Sequence, residues 1–356
     1  MRKLAILFLL ILITLFTAAC GNEETSGEEE IENNNTDKKP LTIYTTVYPL
    51  QFFAEKIGGA TVEVQSILPP GSDAHTYEPT TKEMVKMAEA DLFIYNGAGL
   101  ESYAEKISES IEPEGVTILE AASTIDLKEH VHNHEGEGEQ THEEETHEGD
   151  AHAHEEETHE EDAHAHEEDS HEEDAHAGHN HGEQDPHVWL DPIRASQLAE
   201  HIKDQLVELN PGKENVYKEN FQELESKLKE LDQSFHERVE TKAKSKIIVS
   251  HAGYGYWEEA YAIEQIAVSG LSPTNEPSQK DLEDIIQTAE EHDLKYVIFE
   301  QNITPKVAEV IQKEIGAEPL RFHNLSVLTE SDVENEEDYF SLMKQNLDAL
   351  TQALAE

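Results

Sequence analysis

Cysteine is almost missing from this chain. Cys20 is the single one, so no disulfide can form within one molecule. Cations are scarce as well: 25 Lys and Arg stand against 78 Asp and Glu, for a formal net charge of −53. Nucleic acid is excluded as a partner, because phosphate contacts need Lys and Arg. The field of such a chain draws cations instead. Much of the excess is local, since residues 129–185 hold almost no Lys or Arg. Long apolar runs are missing too, apart from Leu4 to Phe16. That run is too short for a comfortable membrane span.

What surrounds the run gives it a meaning. Arg2 and Lys3 precede it and Thr17-Ala18-Ala19-Cys20 closes it. This is the layout of an export signal, and small residues before a cysteine resemble a lipobox. Residues 1–20 are then a signal peptide and Cys20 the lipidated residue. Thr17 stands where a lipobox usually has Leu, and a plain secretory signal is the alternative. A lipid anchor is needed most where no periplasm retains an exported protein, so the extracellular face of a Gram-positive membrane is the expected location. Residues 21–39 are polar and featureless, which suits a flexible tether.

From Pro40 onward, strand and helix patterns alternate. LTIYTTV (41–47), TVEVQSI (61–67), ADLFIYNG (90–97) and GVTILEA (115–121) read as strands. Helical patterns lie between them. A second series starts at KIIVS (246–250) and continues through IEQIAVS (263–269), KYVIFE (295–300) and a short strand within 318–328. Between the series, Phe221, Leu224, Leu228, Leu231 and Phe235 form one apolar stripe on a helix of about 25 residues. The fold class expected is α/β, with two lobes, each a mainly parallel sheet flanked by helices, joined by one long rigid helix. The divisions are 40–211 for the first lobe, 212–243 for the linking helix and 244–356 for the second lobe. An acidic His-rich loop, 129–184, is inserted in the first. Ligands of open α/β sheets sit beyond the carboxyl ends of the strands, which places a site in the cleft.

Polar groups just past strand ends are the candidates for that site. They are His75 in PPGSDAHTYEPT, His187 in DPHVWLDP, His251 in SHAGYGYW and Glu330 in LTESD. Three imidazoles and a carboxylate suit Zn2+, with water as the alternative fourth ligand. Each could instead be an ordinary side chain bonded to backbone. His201, His236 and His292 read as surface residues within helices, and His323 as a loop residue able to support a site.

Residues 146–181 carry three near-copies of a twelve-residue unit, THEEDAHAHEED in its middle copy. Among its histidines, His152, His154, His164, His166, His176, His179 and His181 are candidate accessory metal ligands. No metalloprotease helix is present here. His159 and His164 are five residues apart, about 140° around a helix, whereas the HExxH motif needs four. High charge and few large apolar residues predict disorder. The segment is expected to collect, sense or transfer zinc beside the cleft, unless it is merely a solvated acidic insertion.

The order of these motifs resembles the zinc-binding solute-binding lipoproteins of bacterial metal ABC importers, within the metal-specific cluster of the periplasmic-binding-protein superfamily. The resemblance spans residues 40–356. It implies a non-enzymatic receptor that captures Zn2+ between two lobes, through His75, His187, His251 and, less surely, Glu330. It also implies delivery to a membrane-embedded ABC permease, and a monomer is expected. Manganese and iron receptors of the same family, or a surface zinc buffer or adhesin, are the alternatives. His251 favours zinc, because manganese prefers oxygen donors. A zinc hydrolase is the reading from another class; it lacks a nucleophile or oxyanion motif.

Overall fold

The computed structural model describes residues 39–129 and 184–355. Cys20, the tether and the histidines singled out between 152 and 181 lie outside the described residues. In the first lobe, β1 (Leu41–Thr45), β2 (Val62–Ser66), β3 (Leu92–Tyr95) and β4 (Thr117–Glu120) pair in parallel in the order β2-β1-β3-β4. In the second, β5 (Lys246–His251), β6 (Glu264–Ser269), β7 (Tyr296–Glu300) and β8 (Glu318–Phe322) repeat that plan as β6-β5-β7-β8. Parallel neighbours need a crossover between them. The first lobe supplies α1 (Tyr48–Gly58), α2 (Thr81–Met87) and α3 (Ala104–Ile111).

Both faces of each sheet are covered, which is why its central strands are apolar throughout. Leu92, Phe93 and Ile94 are fully buried, as are Ile248 and Val249. On the outer face of the first sheet, Phe93 packs with Met87, Ile107 and Ile111. On that of the second, Ile248, Val297 and Phe299 pack with Ile285, Ala308 and Ile311. The inner faces merge into one larger core that runs from Ile43 through Trp189 and Phe235 to Val249, Trp257 and Tyr339.

That shared core is organised by helices α4 (Pro192–Leu209) and α5 (Glu214–Val239). Helix α5 has 26 residues, a length of about 39 Å at 1.5 Å per residue. Tyr217, Phe221, Leu224, Leu228, Leu231, Phe235 and Val239 lie buried along it at steps of three and four, which is one continuous face. The face rests on α1, α4 and the closing helix α6 (Tyr339–Ala353). The helix therefore touches a crossover of the first lobe, the helix that precedes it between the two sheets and the helix that follows the second sheet.

Hydrogen bonds also cross between the lobes. Tyr48 N–H donates to Ser326 O at 2.9 Å and Gly71 N–H to Leu328 O at 3.0 Å. The Asn302 side-chain amide donates to Ser72 O at 2.8 Å. The buried indoles of Trp189 and Trp257 donate to Asn324 O and Leu190 O, at 2.8 and 2.7 Å. A lobe joint bonded at this many points, those of Tyr48, Trp189 and Trp257 buried, resists wide opening.

Candidate metal centre

The three histidines expected at strand ends arrive by three different routes. His251 is the last residue of β5. His75 lies in the loop after β2, following the turn at Pro69-Pro70-Gly71, where Gly71 has φ +75°. That left-handed conformation costs glycine nothing and strains other residues. Asp73 shapes the next turn, accepting from the His75 backbone N–H at 3.0 Å and from the Thr76 hydroxyl at 3.1 Å. His187 sits immediately before a short 3-10 turn, Val188–Leu190. Its segment is fixed on the far side by Asp191, which caps α4 by accepting from Arg194 N–H at 2.7 Å, with Pro192 at the first helical position. DPHVWLDP is thus a rigid strap between two aspartates.

Their ring nitrogens converge. Nε2 of His187 is 3.2 Å from Nε2 of His75 and 3.3 Å from Nε2 of His251. One ligand atom from each of the three lies within 4.8 Å of the others. Donors on a tetrahedral zinc with Zn–N of about 2.0–2.1 Å sit about 3.3–3.4 Å apart. The observed edges match that spacing. Three nitrogen lone pairs directed at one point repel unless a cation stands between them.

Two carboxylates stand behind the imidazoles. Asp185 Oδ1 accepts from His187 Nδ1 at 2.7 Å and from the His187 backbone N–H at 3.0 Å. An ionised carboxylate only accepts, so the proton belongs to Nδ1 and the lone pair of Nε2 faces the cluster. Nδ1 of His251 lies 3.1 Å from Oε1 of Glu300. The pair is within ion-pair distance but poorly aligned, so His251 Nδ1 makes no well-formed hydrogen bond. Burial alone would lower the His251 pKa, but the carboxylates around it, Glu300 first and then Asp185 and Asp73, together hold the imidazole above its usual value. Burial would likewise raise Glu300, but His251, His187 and the Asn324 amide together hold it below the usual carboxylate range.

Space for an ion is also kept open. Gly253 has an ordinary φ, yet a Cβ there would meet Nε2 and Cε1 of His251 at 2.8 and 2.9 Å. Among the residues lining the mouth beside His75 are Ala98, Gly99, Gln184, Leu271 and Ser272, around a free volume of about 10 Å³. That admits a single water-sized group. Gly97, Ala98 and Gly99 all have positive φ on this rim. The rim is fixed from below by Glu101, which accepts from Asn96 and Gly97 N–H and from the Thr46 hydroxyl. Asn96 in turn donates to Pro186 O at 3.0 Å, next to His187.

Glu330 is not brought to the imidazoles. It is exposed and opens a short helix, Glu330–Glu334. LTESD is a helix start: Thr329 and Asp332 form a reciprocal capping box, and His323 Nε2 donates to Asp332 at 3.0 Å. A residue in the first turn of a capped helix keeps its carboxylate toward solvent and the positive end of the dipole. His201 also differs from its reading as a surface residue. It is half-buried, and its ring bonds Ala121 O and the Thr124 hydroxyl at 2.7 and 3.0 Å. Glu300 was missed in the sequence, although a charged residue ending the apolar run YVIFE meets the criterion that found His251.

The sequence matches the profile of the family described as zinc-uptake complex component A, periplasmic, over residues 43–353. It is 31% identical over 352 residues to the zinc-binding lipoprotein AdcA of Streptococcus pneumoniae, covering 99% of this chain and 61% of that relative. It is likewise 31% identical to the high-affinity zinc uptake system protein ZnuA of Bacillus subtilis, covering 99% of this chain and 98% of that one. The chain thus spans less than two thirds of the pneumococcal relative's length. Among solved structures, the Zn(II)-bound ZnuA-like domain of S. pneumoniae AdcA superposes with a TM-score of 0.66 at 28% identity, covering 89% of this chain and all of that one. The metal-dependent lipoprotein YcdH of B. subtilis gives the same values.

Proposed function

The chain belongs to the zinc-uptake complex component A family, and from that premise we propose that it is an extracytoplasmic receptor that captures Zn2+ between its lobes and hands it to an ABC permease. The observation that carries this reading is the convergence of three Nε2 atoms, two from loops and one from a strand end, with His187 at zinc-tetrahedron spacing from each of the other two. His75, His187 and His251 are the proposed ligands, and water entering by the narrow mouth is the proposed fourth. A set of three imidazoles without an oxygen donor suits zinc better than manganese. The names of the pneumococcal and B. subtilis relatives support the same cargo.

The proposed functional divisions are a first lobe at 40–211, a bridging helix at 212–243 and a second lobe at 244–356, tethered through 21–39 to lipid on Cys20. A bonded lobe joint and a 26-residue brace leave loop motion, not wide hinge opening, as the route for metal to enter and leave. Docking on the permease would act on the rim around Gly97–Gly99. The acidic His-rich segment fits as an accessory zinc collector. Glu129 and Gln184 pair as an antiparallel bridge, and Gln184 lines the mouth beside His75. Both ends of the segment are thereby anchored at the entrance, where tethering raises the local concentration of its side chains.

An uptake experiment tests the receptor role. Cells lacking the chain should lose accumulation of radioactive zinc at limiting supply and regain it with the wild-type chain but not with His187→Ala. Full rescue by His187→Ala would refute the role of this site in uptake.

A further inference from the structure

Glu300 has no assigned part in the metal site, yet it occupies the position behind His251 that Asp185 occupies behind His187. It ends β7 as His251 ends β5. The two strands are neighbours, with Ile248 opposite Val297 and Val249 opposite Ile298. Two further residues in step bring His251 beside Glu300, on one side of the sheet, because side chains alternate with a period of two. Both are almost fully buried, at 2% and 1% exposure.

A carboxylate this deep needs partners that are worth its desolvation. Those it has are few. The Asn324 amide donates to Oε2 at 3.0 Å, and the Tyr254 hydroxyl reaches Oε1 at a long 3.4 Å. Among the described residues no Lys or Arg forms an ion pair with its side chain; Arg321 binds only its backbone carbonyl. The remaining neighbour is His251 Nδ1. A neutral imidazole is a modest partner for a buried anion. An imidazole whose other nitrogen is bonded to a divalent cation is a strong one, since the metal draws charge from the ring and makes Nδ1–H more acidic.

We propose that Glu300 is a positioning residue for zinc: it holds His251 in the Nδ1–H tautomer with Nε2 toward the ion, and together with Asp185 it supplies buried negative charge opposite the divalent cation. This rests on the reading of the three histidines as the zinc site. Asp73, the third nearby carboxylate, is occupied with the backbone of its own loop. The arrangement places one carboxylate behind each of the two fully buried imidazoles. Outer carboxylates of this kind typically change metal affinity about 10–100-fold.

The test compares wild type with Glu300→Gln, which keeps an acceptor for Nδ1–H but removes the charge, and with Glu300→Ala, which removes both. Zinc dissociation constants are measured by chelator competition on residues 21–356 lacking 130–183, so that only the cleft is read. We expect a loss of about tenfold for Gln and about 100-fold for Ala. The long-range proton–nitrogen spectrum of the metal-free wild type, where no metal fixes the tautomer, supplies a readout independent of any variant. It should show the neutral rings of His187 and His251 both protonated on Nδ1, with Nε2 left bare for the ion. Affinities within twofold of wild type, or His251 protonated on Nε2, would overturn the role of Glu300. Should the variants fail to fold, the wild-type spectrum still decides. Absence of tight zinc binding by the wild-type protein would instead overturn the reading of the three histidines as the site.

Discussion

Gly253→Ala should remove tight zinc binding and leave the fold in place. The glycine does not adopt a left-handed conformation, so alanine brings no backbone strain. Its methyl would lie 2.8 Å from His251 Nε2 and 2.9 Å from Cε1. Ordinary contacts between such atoms are about 3.5–4.0 Å, so the ring must retreat by half an ångström or more. It has little room to do so, since its other edge lies 3.1 Å from Glu300. Metal sites need ligands held within about 0.5 Å of the productive geometry. The methyl also occupies volume beside the donor atom itself. We expect zinc affinity to fall at least about 100-fold, which is roughly 2.7 kcal/mol. The assay is chelator competition for zinc, with circular dichroism melting of the metal-free protein as the control for folding. Binding within twofold of wild type, with an unchanged melt, would show that the reading of the space beside His251 is wrong.

Three further outcomes are expected. Burial pushes the Glu101 carboxyl up to about 7 despite its hydrogen bonds from Thr46, Asn96 and Gly97. A carboxyl raised in the folded state adds stability that is fully present below its unfolded value of 4.5 and is lost as pH rises through about 7, some 3 kcal/mol in all. Urea unfolding of Glu101→Gln should lack this decline between pH 5 and pH 8; a slope equal to wild type would contradict it. Leu228→Ala, at a fully buried position of the brace, should cost about 2–5 kcal/mol in the same assay, and a cost below 1 would mean that the brace is not packed as described. Glu330→Gln should leave zinc affinity within twofold of wild type, and a tenfold loss would restore that residue as a ligand.

The two-lobe architecture was legible because both series of strands carry near-continuous apolar runs, such as LFIY and IIVS, with Gly or Pro at their ends. The stripe on α5 was equally plain, since five apolar residues at steps of three and four admit one face only, which the structure extends to Tyr217 and Val239. The start of α3 was less plain, because Glu101 turns inward to bind the Asn96 and Gly97 amides and the helix begins only at Ala104. At the site, His75, His187 and His251 were readable because each follows a strand or stands in a proline-bracketed strap. The carboxylates were harder to see. Glu330 lies in a run whose capping box, Thr329 with Asp332, is itself a sequence signal that competes with a ligand assignment. Glu300 ends an apolar run and so was open to the criterion that found His251, but its place beside His251 comes from the in-step pairing of β5 with β7, a long-range register that local sequence does not express. The space above His251 is a property of Gly253 that appears only when the ring is placed.

We propose that the cleft, not the His-rich repeat, is the principal zinc site. The most direct test is competitive titration of zinc against manganese on residues 21–356, beside a version lacking 130–181. One tight zinc site that survives the deletion, outcompetes manganese and disappears in His251→Ala is the predicted result. Loss of tight zinc binding together with the repeat, or a cleft that prefers manganese, would contradict the account.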